Sequence, residues 1–296
     1  MSSVRAVMAV VAVGLLVLVA GCSRKSDIAS PAPGAPAARI VATANFGALQ
    51  LLSARVVPGT TVMDGLQSST AVETTYGGGF VASMLGRGTE TAPSADWFFY
   101  VNGVHSPVGA ASVTLGDGDV VWWDHHPWQG AATIRGVVGS WPAPFVNAAA
   151  GVVADAPLAA TLRAAGARLT HSGTPFHVLV GTDDSLASRN TAWRAIGGDP
   201  GGQRLAGGIA NGVVVLIPPS GGAPVPVDGA RAVAVLVPVG TKPQDGALLA
   251  VAGLDAAAAR AAAATIARDS AVLTNRFAVA FDATGGSLES AGRAAP

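Results

Sequence analysis

The chain has 296 residues, enough to bury two cores of ordinary size. Charged residues make up only 12% of it, the formal net charge is zero and no cluster of Lys or Arg occurs, which argues against a nucleic acid or other polyanion as partner. The single cysteine, Cys22, excludes an internal disulfide framework and any zinc site built on paired cysteines.

Arg5 precedes an apolar run, "AVMAVVAVGLLVLVA" at 6–20, followed by Gly21 and Cys22. The run is short for about 30 Å of hydrocarbon and has the size of a signal-peptide core. Small residues just before the cysteine resemble the bacterial lipobox, in which the cysteine takes lipid on its thiol and becomes the new N-terminus. Residues 1–22 are therefore expected to be a lipoprotein signal peptide with Cys22 as the lipidation site. That resemblance implies a chain anchored to the cell membrane on its extracytoplasmic side, with membrane lipid as a partner. Residues 23–38, rich in Ser, Ala, Pro and Gly, lack apolar periodicity and read as a flexible tether.

Residues 39–132 read as a small sheet over one helix. Apolar runs at 40–46 and 50–57, separated by Gly47, predict a hairpin. "GTTVMDGLQSS" predicts a short helix capped by Thr60 or Thr61, with Val62, Met63 and Leu66 on its buried face. "DWFFYVNG", 96–103, is β-prone and ends in a tight-turn pair, Asn102-Gly103. "LGDGDVVWW" adds a turn at Asp117-Gly118 and a strand from Val120 to Trp123, and "DHHPWQG" is expected to leave the sheet as a loop.

The segments "GTTVMDGL", "FVASMLG", "WFFYVNGV" and "LGDGDVVWW" resemble the transcobalamin-like β-grasp domain, the DUF4430 type. That domain closes the cobalamin carriers transcobalamin and intrinsic factor, and it recurs in exported bacterial proteins of mostly undefined function. The resemblance covers roughly residues 57–130. It implies a ubiquitin-like β-grasp fold and a domain that lies over one face of a corrin ring. The helical domain that completes the cradle in the carriers has no counterpart in this sequence, so a corrinoid is expected here only as one candidate ligand, with no resident cofactor assigned.

Four of the six tryptophans, Trp97, Trp122, Trp123 and Trp128, fall in this stretch. Neighbours on a strand point to opposite faces, so Trp122 and Trp123 cannot share one core, and one of them is expected to be partly exposed or covered by the following loop. With Tyr100, His125 and His126 they form a candidate platform of aromatic faces and imidazoles for a flat apolar ligand. Asn102 and His105, at the turn, complete the candidate ligand-binding set, His105 by its likeness to the loop that approaches the ligand in the carriers. The competing reading makes the tryptophans core or seam residues and the histidines solvated turn residues. Two adjacent histidines and one aspartate are too few to specify a metal site, and none is assigned.

Residues 133–288 change to Ala- and Val-rich composition and predict an α/β domain of two or three layers with a mixed sheet. Predicted elements are a helix within 155–169, opened by Asp155 and Pro157 and ending at Gly166 or shortly after, a strand at 176–182, and a helix over 183–198 whose N-terminus carries Asp183 and Asp184. Two apolar strands, "GVVVLIPP" and "ARAVAVLVPVG", follow, then a strand at 247–252, a helix from 255 to about 267 and a strand at 277–281. Residues 289–296 are expected to be a disordered tail. "GGDPGGQRLAGG", 197–208, matches neither a P-loop nor a dinucleotide fingerprint. Asp183, Asp184 and Asp255 sit where helix caps are needed, and no catalytic residue is assigned.

The sequence thus predicts an α+β and α/β chain that works as a membrane-anchored, extracytoplasmic ligand-binding lipoprotein, with a corrinoid or another flat molecule as ligand. The alternative is a structural or protein-interaction lipoprotein of the cell envelope, with an envelope protein as partner and no small-molecule ligand.

Overall fold

Thr43, Trp122 and Asp124 occupy neighbouring strands and face the same way, and that shared face organises the molecule. The computed structural model describes residues 30–88, 94–128, 134–218 and 222–290. Cys22, the signal-peptide segment and most of the tether lie outside the described residues. Among the described residues no helix is long and apolar enough to cross a membrane.

The first segment folds as β1 (Ala38–Ala44), β2 (Leu49–Val56), α1 (Val62–Ser69), β3 (Val72–Thr75), β4 (Phe80–Met84), β5 (Arg87–Gly88), β6 (Ala95–Val101), β7 (Val104–His105) and β8 (Val120–Pro127). Five of these strands form one sheet in the order β2-β1-β8-β6-β7. β1 and β8 run parallel at its centre and the other pairs are antiparallel, the mixed arrangement of a β-grasp fold. Thr61 caps α1, accepting from the Asp64 amide at 3.0 Å. Val62, Met63 and Leu66 bury one helix face against the sheet, where Ile40, Val121 and Trp123 belong to the same core. Strands β3, β4 and β5 form a separate small sheet on this side.

β8 runs four residues beyond Trp123, and this corrects the expected loop. Central between β1 and β6, it carries Asp124, His125 and His126 as ladder residues, all buried. Period-two alternation sends Val121, Trp123 and His125 toward α1 and Trp122, Asp124 and His126 to the opposite face. Each tryptophan therefore has its own core, and neither is exposed.

The second segment runs through α2 (Ala143–Val146), β9 (Val153–Ala154), α3 (Ala156–Ala164), β10 (Phe176–Thr182), α4 (Asp183–Arg189), α5 (Thr191–Arg194), β11 (Gly207–Ala210), β12 (Val213–Leu216) and β13 (Val225–Pro226). It closes with β14 (Ala232–Pro238), β15 (Ala247–Gly253), α6 (Ala256–Arg268), β16 (Val279–Phe281) and β17 (Ser287–Ser290). Its main sheet has the order β17-β16-β14-β15-β10-β9, with β15, β10 and β9 parallel and the rest antiparallel. β17 reaches Ser290, so the expected tail begins as strand; residues 291–296 lie outside the described residues. α3 ends at Ala164, and Gly166, expected at its end, turns left-handed just after it, φ 96°.

Alanine supplies the packing between α6 and the sheet: Ala258, Ala259, Ala262 and Ala263 let the helix approach strands whose side chains are buried on both faces. α3 and α6 cover one face of this sheet. The other face is shared by α4, α5, the β11–β13 sheet and the first segment, and one continuous core joins Val41, Tyr100 and Trp122 to Val233, Val235 and Phe277. Residues 134–141 thread along the seam, with Val137 donating to Gly103 O at 2.9 Å and Val138 to Phe277 O at 3.1 Å. A side chain at Gly103 would strike Leu236 and the Val137 carbonyl, both 2.7 Å from its Cβ position, so the β6–β7 turn docks only with glycine there.

Candidate functional site

The predicted site residues separate into a seam group and a cleft group, which meet at the outer edge of β6, where His105 pairs with Tyr100. Tyr100, Trp122 and His126 lie in the seam between the segments. Trp97, His105 and Trp123 line an open cleft. His125 is buried on the α1 side beside Trp97, with ring centroids 5.1 Å apart. Asn102 serves the turn: its side chain donates to Asp119 at 2.8 Å and accepts from the Val120 amide at 2.9 Å. Trp128 is 44% exposed at the end of β8, next to residues outside the described set.

The seam is built around Asp124. One carboxylate oxygen accepts from the Phe46 amide at 3.0 Å and faces His126 Nδ1 at 2.9 Å; the other accepts from the Gly47 amide at 2.8 Å and from the Thr43 hydroxyl. Trp122 Nε1 donates to that hydroxyl at 2.6 Å. The turn after β1 thus presents two backbone N–H groups to a buried carboxylate, and Gly47 at φ 80° is what allows it. Its Cβ would lie 1.9 Å from the Asn275 carbonyl.

The His126 ring is stacked by Phe46 and Phe98, with centroids at 4.6 and 4.5 Å, and Phe277 from the second segment meets it edge-on at 5.5 Å. Phe277 also contacts Tyr100 and Trp122 edge-to-face, at 5.7 and 5.0 Å. It fills the place a flat ligand would need on this face. Desolvation, with the nearby Asp124 charge, pushes the Tyr100 phenol well above its ordinary value. The Tyr100 hydroxyl and His126 Nε2 are buried without hydrogen-bond partners among the described residues.

The cleft has a volume of about 430 Å³ and follows the outer edge of β6. It gathers side chains from both faces of that strand, Trp97 and Phe99 from one and Phe98 from the other, and adds Trp123, His105 and Phe80. Val108 and Phe80 form its exposed lip. Trp97 is fixed by donating from Nε1 to Arg87 O at 3.1 Å. Trp123 stacks on Phe99 with centroids 4.7 Å apart, and its buried indole N–H has no partner among the described residues. Burial, with the neighbouring His126 charge, lowers the His105 pKa, so its imidazole is neutral near pH 7 and keeps one ring nitrogen as an acceptor.

Residues 59–126 match the family model described as a domain of unknown function, DUF4430. No curated protein matches the chain. The DUF4430 match runs from just before α1 into β8 and includes every residue lining the cleft, whereas Phe46, Phe277 and the rest of the second segment lie outside it.

Phe80, Phe98 and Val108 are cleft residues that sequence reasoning missed. The signal for Phe80 was a large aromatic directly after three glycines, a place where the chain cannot bury it by local structure. Thr43 and Phe277, which complete the seam, carry no local signal, because their partners are 79 or more positions away in sequence. Asp183, Asp184 and Asp255 do not converge on a cleft: Asp255 accepts from the Ala258 amide at 2.9 Å as the α6 cap, and Asp183 accepts from Trp193 Nε1 at 2.8 Å. Among the described residues no group of three or more His, Cys, Asp or Glu is placed to hold a metal.

Proposed function

We propose that this protein is a lipid-anchored, extracytoplasmic binding protein whose DUF4430 domain takes the edge of a flat, largely apolar ligand into the cleft along β6. The observation that carries this reading is the cleft itself: an apolar, aromatic hollow with the neutral, half-buried His105 imidazole available to fix a ligand's orientation. Its volume admits one edge of a macrocycle and not the whole, so a corrinoid would be held from the side, with most of its ring outside. The aromatic platform envisaged around Trp122 and His126 has no part in this proposal, since Phe277 covers it. Cys22 anchors the chain through its lipid, and the tether sets the cleft off the membrane surface.

The test uses the full chain in detergent micelles. Equilibrium dialysis against cyanocobalamin and against protoporphyrin IX should show saturable retention of at least one, weakened roughly tenfold by Phe80→Ala, in line with the loss of an aromatic contact. Retention that ignores Phe80→Ala and His105→Ala, or none at all, overturns the reading. Cys22→Ala should move the protein from the membrane to the soluble fraction; unchanged fractionation overturns the anchor.

A second reading, a docking surface for an envelope protein, is favoured by one observation. Tyr76 is 91% exposed and packs edge-on against the lip residue Phe80, centroids 6.4 Å apart, extending the aromatic surface beyond the cleft into solvent.

A further inference from the structure

A second hollow, of about 300 Å³, opens where the two segments meet, on the far side of the 106–108 loop from the β6 cleft. Its floor is apolar: Val101 and Val104 of the β6–β7 hairpin, with Val113 beside them. Its opposite wall is the 241–244 turn of the second segment, and Asp245 fixes that turn by accepting from the Thr241 and Lys242 amides at 3.0 and 2.9 Å. Lys242 is one of only two lysines in the chain. Its ammonium makes no ion pair among the described residues, and the carboxylate on its own turn, Asp245, is engaged by the two backbone amides. Thr241 and Gln244 line the same wall, and Ser106, Ser112 and Thr114 of the first segment add hydroxyl-bearing residues around the rest of the hollow.

We propose that this hollow binds a small amphipathic anion, its carboxylate at Lys242 and its short acyl chain lying over Val101, Val104 and Val113. The hollow's one charged residue, Lys242, stands across from its valine floor, an arrangement that matches a molecule with one charged end and one apolar end. The volume equals about ten waters, suited to a chain of roughly eight carbons. A ligand seated here touches both segments at once and so favours the docked arrangement over a separated one. The site is distinct from the β6 cleft, and the proposal stands whether or not that cleft binds a flat ligand.

Octanoate and octanol are the probes, titrated calorimetrically into the full chain in micelles, with micelles alone as the blank. Octanoate should bind saturably and more tightly than octanol, and weaken as salt is raised. Lys242→Gln should lower octanoate affinity roughly three- to fivefold, the range an exposed ion pair supports, and leave octanol unchanged, while Lys242→Arg retains octanoate. Phe80→Ala, in the other cleft, should leave octanoate binding as it was. Equal affinity for the two probes, no loss in Lys242→Gln, or a loss in Phe80→Ala overturns the proposal. Thermal unfolding of each Lys242 variant, matching the parent within a degree or two, separates lost binding from lost folding.

Discussion

The two faces of the five-stranded sheet carry similar side chains and have opposite fates. On the α1 side, Trp97, Phe99 and Trp123 are covered incompletely by the small β3–β5 sheet, and the gap along β6 is the cleft. On the other side, Tyr100, Trp122 and His126 meet a second folded segment that supplies Phe277 and closes the surface. Aromatic richness alone therefore does not mark a ligand platform. What decides is whether another element of the chain brings a side chain to the same place.

The largest expected effect lies in the seam. Asp124 accepts from two backbone amides and the Thr43 hydroxyl and pairs with His126, all inside the protein. Asp124→Ala leaves those groups unpartnered and should cost roughly 3 to 5 kcal/mol, read from urea unfolding followed by tryptophan emission. A loss below about 1 kcal/mol would mean that the carboxylate does not organise the seam.

Phe277→Ala should follow, at about 3 to 4 kcal/mol, since it opens a cavity among rings that cannot collapse into it. Because Phe277 is the second segment's contribution to this face, the same variant should split one unfolding transition into two or broaden it. Calorimetry checks this, and a single unchanged transition would show that the segments are coupled elsewhere.

Acid distinguishes the faces more gently. His105 is lowered by burial and by His126, and His125 by burial first, then by the charges of Arg87 and His126 against the opposing pull of Asp124. Both stay neutral in the folded chain at pH values where the unfolded chain already takes up protons. Their contribution is intact above about pH 6.5, the ordinary histidine value, and is lost as pH falls below it toward their lowered folded values. The urea midpoint should drop between pH 7.5 and 5.5, and His125→Gln should flatten that drop; an equal drop in the variant would assign it to other groups.

Much of the fold was legible because its signals are local. The Thr61 cap, the Asn102-Gly103 turn and the period-two alternation across Trp122 and Trp123 each follow from a few adjacent residues, and the structure has all three. The loop expected at Asp124–Trp128 failed for the converse reason. A run of Asp, His and His reads as solvated, and it is a central strand because β1 and β6 flank it and the Phe46 and Gly47 amides, brought from 78 and 77 positions away, satisfy its carboxylate. The seam's occupant was illegible for the same cause: Phe277 sits in an ordinary apolar run, and nothing near it in sequence points toward Trp122. Of the nine aromatic, imidazole and amide residues expected to meet a ligand, the three that line the cleft, Trp97, His105 and Trp123, are those on the sheet's incompletely covered edge.

The smallest stability effect belongs to the open face and tests the comparison most directly. Phe80 is 46% exposed, and its contacts at the lip are with Tyr76, itself almost wholly in water. About half of its surface is still covered, so Phe80→Ala should cost about 1 kcal/mol, well below the loss at Phe277. A residue conserving the fold would behave like Phe277. One shaped for a partner outside the chain would cost little stability and alter binding. If Phe80→Ala unfolded the domain by 2 kcal/mol or more, the cleft would have to be read as an imperfectly packed core, and the distinction between the faces would vanish.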